Sequence, residues 1–282
     1  LPDYLKTLGY QTIATHPYNA GGWERDTVYP MLGFNESVFK DDYVNPQYVR
    51  QYISDESCVD KIIEFYENKE KDAPLFVFNV TMQNHGGYQD QYGNFTPDIS
   101  VKDSTNFSLQ QYLSLVKLSD SALEHLISYF EEADEKTVIV FFGDHQPSLS
   151  SSFYPYLNGK GLGGLTLSEL ENLYTVPFFI WTNYDSGKES VELTSLNYLS
   201  TLALERAGIA LPAYNQFLAD MMEEIPAVNS RGFYSKSQGK FLHVEDAAGE
   251  DAKWLKNYEI LQYNNMFDKR NKSELIFPYL KQ

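Results

Sequence analysis

Asp144 and His145 stand side by side directly after an apolar run and a glycine, in the stretch TVIVFFGDHQPSL over residues 137–149. A carboxylate oxygen and an imidazole nitrogen at one point suit a divalent cation of intermediate hardness, such as Mn²⁺ or Zn²⁺. The same dipeptide also reads as a turn after a core strand, with His145 simply hydrogen-bonded. Spacing alone leaves the two readings level, because two donors do not close a coordination shell. A second group, His16, Trp23 and Arg25, falls within ten positions in HPYNAGGWERD. Arginine grips a phosphate or sulfate through two parallel hydrogen bonds, and histidine and asparagine add donors. Tryptophan offers a flat apolar wall to a sugar or glycerol moiety. The structural alternative makes Trp23 a core anchor and pairs Arg25 with Asp26 on the surface. His85 closes a third group, Thr81-Met82-Gln83-Asn84-His85. One histidine after a strand is usually structural, but His16, His85 and His145 repeat the placement, and repetition favours chemistry.

Strands must position these residues. Val138–Phe142 is an uninterrupted β-branched and aromatic run, the pattern of a strand buried on both faces in a mainly parallel sheet. Residues 75–80, after Pro74, form a second such run, and residues 175–182 a third. Residues 1–8 have helical spacing closed by Gly9, and residues 10–15 then alternate toward a strand. In open α/β folds ligands bind beyond the carboxyl ends of the strands, which is where the three histidines fall. Helices are expected over residues 57–68, 109–130, 167–173, 193–207 and 254–266, with His125 as ordinary surface or edge packing on the second. Residues 27–56 read as an irregular excursion, 88–107 as a polar loop and 226–250 as small strands and turns. Gly159–Gly164 satisfies GxGxxG, but residues 152–158 before it do not read as a strand, so a dinucleotide site is rejected. Alternating strands and helices predict an α/β fold, a mostly parallel sheet with helices on both faces. Residues 1–225 are expected to form its core, and 226–282 to add small strands and a closing helix to the same domain.

The 282 residues suit one large domain or two small ones. Lys and Arg number 22 against 39 Asp and Glu, a formal net charge of −17, which argues against nucleic acid as a partner. A phosphate-bearing substrate survives that test, since a bound cation dominates its local field. Cys58 is the single cysteine, so an internal disulfide and a cysteine-based zinc cluster are excluded. No apolar run approaches the roughly 20 residues of a membrane span, and no signal peptide opens the chain. The chain starts abruptly within an αβ unit, as expected of an excised domain. Asn-x-Ser/Thr triplets at Asn35, Asn79, Asn94, Asn106 and Asn271 read as chance, because Asn79 ends an apolar strand.

Taken in order, His16…Trp23-Glu24-Arg25-Asp26, Thr81…His85 and Gly143-Asp144-His145 resemble the lipoteichoic acid synthase-like family, in the sulfatase branch of the alkaline phosphatase superfamily. The likeness covers most of the chain, including YEILQY at residues 258–263. It implies an alkaline phosphatase/sulfatase-like fold, incomplete at the amino terminus. Asp144 and His145 are then metal ligands, while His16, Trp23, Arg25 and His85 surround the substrate's phosphoglycerol group. His85 and His16 are the catalytic candidates, a histidine near the leaving oxygen acting as donor or general acid. The resemblance implies Mn²⁺ or Mg²⁺, with Zn²⁺ a third candidate, and phosphoryl transfer through a covalent intermediate on a threonine activated by the metal. It further implies a phosphoglycerol-bearing lipid or polymer, or a sulfate ester, as substrate. The parent protein is expected to be anchored in the membrane and to act at the extracellular face of a bacterial cell. The family's threonine nucleophile and an acidic metal ligand lie in its amino-terminal half, ahead of the αβ unit that opens this chain. The fragment alone is therefore expected to bind metal weakly and not to turn over. Cys58 does not stand in a Cys-x-Pro-x-Arg context, so no formylglycine nucleophile is visible. Two alternatives stay open: a plain phosphatase or sulfatase, since Arg25 and His16 suit any tetrahedral oxyanion, and a non-catalytic binding module for anionic polymers or glycolipids.

Overall fold

The computed structural model describes residues 1–102, 104–149, 153–268 and 271–280. They form two compact units, one of Leu1–Asp134 with Pro147–Leu149, the other of Glu135–Gln146 with the carboxyl-terminal part of the chain.

In the first unit, α1 (Pro2–Thr7) closes at Gly9, whose φ of 87° suits a residue without Cβ. The chain then runs through β1 (Gln11–Thr15), α2 (Arg25–Met31), β2 (Glu36–Val38), β3 (Tyr48–Val49), β4 (Tyr52–Ile53), α3 (Asp55–Asn68), β5 (Leu75–Asn79) and α4 (Phe107–Glu131). β2 and β5 flank β1, and both pairings are parallel. β1 is buried from Thr12 to Thr15, and its Ile13 joins Val38, Tyr43, Ile53 and Cys58 in one core cluster. Val59 and Ile63 of α3 meet Ala122 of α4 in a second. Ser54 caps α3 by accepting from the Ser57 N–H, and Asn106 caps α4 by accepting from the Leu109 N–H.

The second unit holds β6 (Val138–Phe142), α5 (Phe153–Asn158), α6 (Leu167–Asn172), β7 (Phe178–Thr182), α7 (Leu199–Arg206), α8 (Ala213–Glu224), β8 (Gly232–Ser235), β9 (Lys240–His243) and α9 (Gly249–Met266). Its core gathers Tyr198, Leu218, Met221, Ile225 and Phe233, with Trp254, Leu255 and Tyr258 packed against them.

The architecture is α/β, with three corrections to the sequence reading. β6 pairs antiparallel with β7, Val138 opposite Thr182 and Phe142 opposite Phe178. An apolar run records how a strand is covered and carries nothing about its partner's direction. β5, β6 and β7 are also half-buried along their length rather than buried on both faces. Second, residues 27–56 are not irregular: they hold most of α2, then β2 and the β3–β4 hairpin. Pro30 inside α2 masks its helical pattern, and strands of two or three residues are too short to show a period. Third, residues 213–224, unassigned from the sequence, form α8 directly after Pro212.

Gly159–Gly164 directly follows the helix α5, so the described residues immediately before it are helical and not a strand; Ser152 lies outside them. Among the described residues no helix is long and apolar enough to cross a membrane.

Asp55, the first residue of α3, is buried. Ser119 Oγ donates to its carboxylate, and its own N–H donates to Gln83 Oε1 at 3.1 Å. Burial outweighs the hydrogen bonds from Ser119, Thr81 and Gln83 and pushes its pKa up from 3.8 to about 6. A carboxyl whose folded pKa is raised adds stability that is complete below about pH 4 and lost as pH rises through about 6. The Asp55→Asn protein therefore gains stability relative to the parent between pH 4 and 7.5, by roughly 3 kcal/mol. Urea denaturation at the two pH values measures this, and a difference that stays constant contradicts it.

Candidate functional site

Parallel pairing brings the carboxyl ends of β1 and β5 side by side, with Thr15 opposite Asn79. The Val80 N–H donates to the Thr15 carbonyl at 3.0 Å, and the His16 N–H to the Val38 carbonyl at 2.9 Å. His16 is 1 % exposed. Its Nδ1–H donates to the Val80 carbonyl at 2.9 Å, which fixes the tautomer and leaves Nε2 with its lone pair. Nε2 is buried and has no hydrogen-bond partner among the described residues. Burial pushes the His16 pKa down to about 4; the bond to Val80 pulls it up, and Arg25 and His85 push it further down. At neutral pH the ring is therefore uncharged and Nε2 is an acceptor.

Trp23 and Glu24 are consecutive residues with φ of 55° and 54°. Left-handed backbone at non-glycine positions costs roughly 1–2 kcal/mol each. Trp23 is 57 % exposed, so it is not a core anchor. Its ring centroid lies 5.7 Å from His16, 6.0 Å from Tyr18 and 6.0 Å from His85. The Arg25 guanidinium sits over its face, with Cζ 4.8 Å from the centroid. Arg25 opens α2 and makes no ion pair with Asp26; its Nη1 is buried without a hydrogen-bond partner among the described residues. His85 is exposed, and its Nδ1 has only a long contact, 3.4 Å, with Tyr52 Oη. The first unit thus gathers His16, Trp23, Arg25 and His85 about one exposed indole. Neutral acceptor, free guanidinium donors and an aromatic wall together suit a tetrahedral oxyanion carrying a short polyol.

Tyr18 and Tyr52 complete this ring, 6.3 Å apart, and sequence reasoning missed both. Tyr18 lies in the same loop as His16 and was legible there. Tyr52 sits on a two-residue strand that has no pattern.

Asp144 and His145 follow β6 in the second unit. Gly143 is required before them: a Cβ there would lie 2.9 Å from Val176 Cβ. The His145 N–H donates to Asp144 Oδ1 at 2.8 Å, and His145 Nδ1–H donates to the Gln146 carbonyl at 2.9 Å. His145 Nε2 then lies 3.5 Å from Asp144 Oδ2, both side chains being exposed. This donor set fits a divalent cation: an anionic oxygen beside an imidazole whose other N–H is held by a carbonyl, the usual support for a ligating histidine. The remaining coordination positions need other ligands.

Among the described residues one further trio has ligand chemistry. His125 Nδ1 lies 2.8 Å from Glu56 Oε1, and with Asp60 the three offer donor atoms within 4.8 Å of one another. Glu56 and Asp60 are one turn apart on α3, a signal present in the sequence.

Imidazole ¹⁵N NMR checks the His16 assignment. His16 keeps the Nδ1–H tautomer from pH 8 to about 5 and titrates near 4; titration near the ordinary value of 6.5 contradicts it.

Residues 1–209 match the family model described as Sulfatase. The chain is 28 % identical over 285 residues to a Rhizobium meliloti protein whose name associates it with cyclic β-1,2-glucan modification, covering 98 % of this chain and 44 % of that protein. It superposes on the phosphoglycerol transferase GacH of Streptococcus pyogenes, in complex with sn-glycerol-1-phosphate, with a TM-score of 0.68 at 22 % identity, over 91 % of this chain and 61 % of GacH. The lipoteichoic acid synthase LtaP of Listeria monocytogenes gives 0.60 at 17 % identity, over 93 % of this chain and 71 % of LtaP. The chain therefore spans less than half the length of that curated relative. With the Sulfatase model covering most of its length, and a fold shared with the phosphoglycerol transferase and lipoteichoic acid synthase structures, the chain belongs to the sulfatase family.

Proposed function

We propose that this chain is part of a metal-dependent phosphoglycerol transferase, or a related phosphodiester or sulfate-ester enzyme, acting at the extracellular face of a bacterial membrane in which the whole protein is anchored. The observation that carries this reading is Arg25, a guanidinium with an unpartnered buried Nη1, stacked on exposed Trp23 beside two histidines. Arg25 takes two oxygens of the oxyanion, and Trp23 covers the glycerol carbons. His16 accepts through Nε2 from a glycerol hydroxyl, and His85 supplies a proton at the leaving oxygen. Asp144 and His145 hold the cation, Mn²⁺ or Mg²⁺ with Zn²⁺ as the third candidate. When bound, such a cation would supply positive charge of the kind that phosphate and sulfate esters need.

The glycerol phosphate bound by GacH supports a phosphoglycerol substrate, a lipid or polymer, over a plain phosphate or sulfate ester. The net charge of −17 supports the absence of a nucleic-acid partner. Coverage of 44 % of the Rhizobium relative and 61 % of GacH supports reading the chain as one part of a longer enzyme.

Calorimetric titration of the chain with Mn²⁺ tests the assignment. Binding is weak, and Asp144→Asn or His145→Gln lowers it by about tenfold or more, the usual effect of removing a ligand or its support. A chromogenic phosphodiester is not turned over by these residues alone. Mn²⁺ affinity unchanged in both variants sends the ion elsewhere, to the Glu56–Asp60–His125 trio first, and overturns the reading.

A further inference from the structure

Arg50 stands in the turn between β3 and β4 with φ of 57°, a conformation normally left to glycine or asparagine. It is 4 % exposed, and among the described residues no carboxylate pairs with it. Its Nη2 donates to the carbonyls of Gln83 and His85, each at 2.7 Å, and its Nη1 to the carbonyl of Gly87 at 3.4 Å. Its Cζ lies 5.6 Å from the ring centroids of Tyr52 and Tyr88 and 5.8 Å from that of Tyr92. A buried cation held by carbonyl dipoles and ring faces is a poor device for stability, where apolar side chains of similar volume do as well or better. A left-handed arginine compounds the cost, and such outliers collect where function needs them.

The residues served by that guanidinium are those of the loop that carries His85. The His85 ring has one long hydrogen-bond contact, with Tyr52, and edge contacts with the Tyr52 and Trp23 rings, so its aim depends largely on how its backbone is held. The Tyr52 ring is shared, 5.8 Å from the His85 ring and 5.6 Å from the guanidinium. The loop is pinned beyond this point as well: Tyr88 Oη–H donates to the Asn84 carbonyl at 2.7 Å, and Asn94 Nδ2–H donates to the Arg50 carbonyl at 3.0 Å. We propose that Arg50 is a positioning residue that fixes the backbone from Gln83 to Gly87, and through it the orientation of His85 toward the oxyanion site. The inference rests on the reading of Arg25, Trp23 and His85 as that site.

Two variants of the full chain, Arg50→Met and Arg50→Lys, test it through three readouts: amide hydrogen exchange over residues 83–87, the His85 imidazole resonances, and titration with inorganic phosphate. In Arg50→Met the amides of residues 85–87 exchange at least about tenfold faster, because three charge-assisted bonds are lost. The His85 imidazole signals shift while those of His125 stay. Phosphate affinity falls about tenfold. Arg50→Lys restores part of the protection, since an ammonium reaches fewer of the three carbonyls than a planar fork; it also carries the test if the methionine variant does not fold. Arg25→Gln abolishes phosphate binding and leaves exchange over 83–87 unchanged. A parent chain that binds no phosphate defeats the oxyanion reading, and the exchange data still decide on Arg50. Exchange and His85 signals in either Arg50 variant equal to the parent's overturn the proposal.

Discussion

One hydrogen bond, from Nδ1–H of His16 to the carbonyl of Val80, sets the conditions for the first unit's site. It ties the end of β1 to the end of β5, so two loops distant in sequence leave the sheet together. It also fixes which ring nitrogen carries the proton. Nε2 is then an acceptor by construction, and burial keeps it unprotonated at neutral pH. The bond exists because the pairing is parallel and in register: Thr15 opposite Asn79 brings the following residues within reach. Shift that register by one residue and the histidine faces the other side of the sheet.

Around this anchor the chain accumulates features that stability alone does not favour. Trp23 and Glu24 adopt left-handed backbone, the indole is left in solvent, and Arg25 keeps a buried donor unpartnered. Arg50 and Asp55 are buried ionisable groups bonded to the segment that carries His85. The same unit holds two well-packed clusters, Ile13 with Ile53 and Val59 with Ala122, which offset these costs. Local costs that gather within one well-packed unit are the pattern expected of a binding site.

Much of this was legible in the sequence. The apolar runs gave β5 and β6, the alternation after Gly9 gave β1, and each pointed to the polar residues beyond its end. His16, Trp23, Arg25 and His85 could be grouped because parallel strands deliver their carboxyl ends to one edge. Strand direction in β6–β7 was not legible, since an apolar run is the same whichever way its neighbour points. Arg50 and Tyr52 were hidden because a two-residue hairpin has no periodicity, and what distinguishes Arg50 is a backbone angle and three carbonyls supplied from over thirty residues away. Tyr18 is legible from its place two residues after His16. The trio on α3 and α4 shows the converse: Glu56 and Asp60 share a helix face by spacing, but only packing brings His125 to them.

The central claim is that the residues around Trp23 take an oxyanion together with its glycerol. Adding sn-glycerol 1-phosphate to the chain while following the Trp23 indole N–H and the His16 and His85 imidazoles by NMR tests it directly. Saturable shifts in all three signals, abolished by Arg25→Gln, are the predicted result. Signals that stay still at saturating ligand, or shifts that survive the loss of Arg25, contradict it.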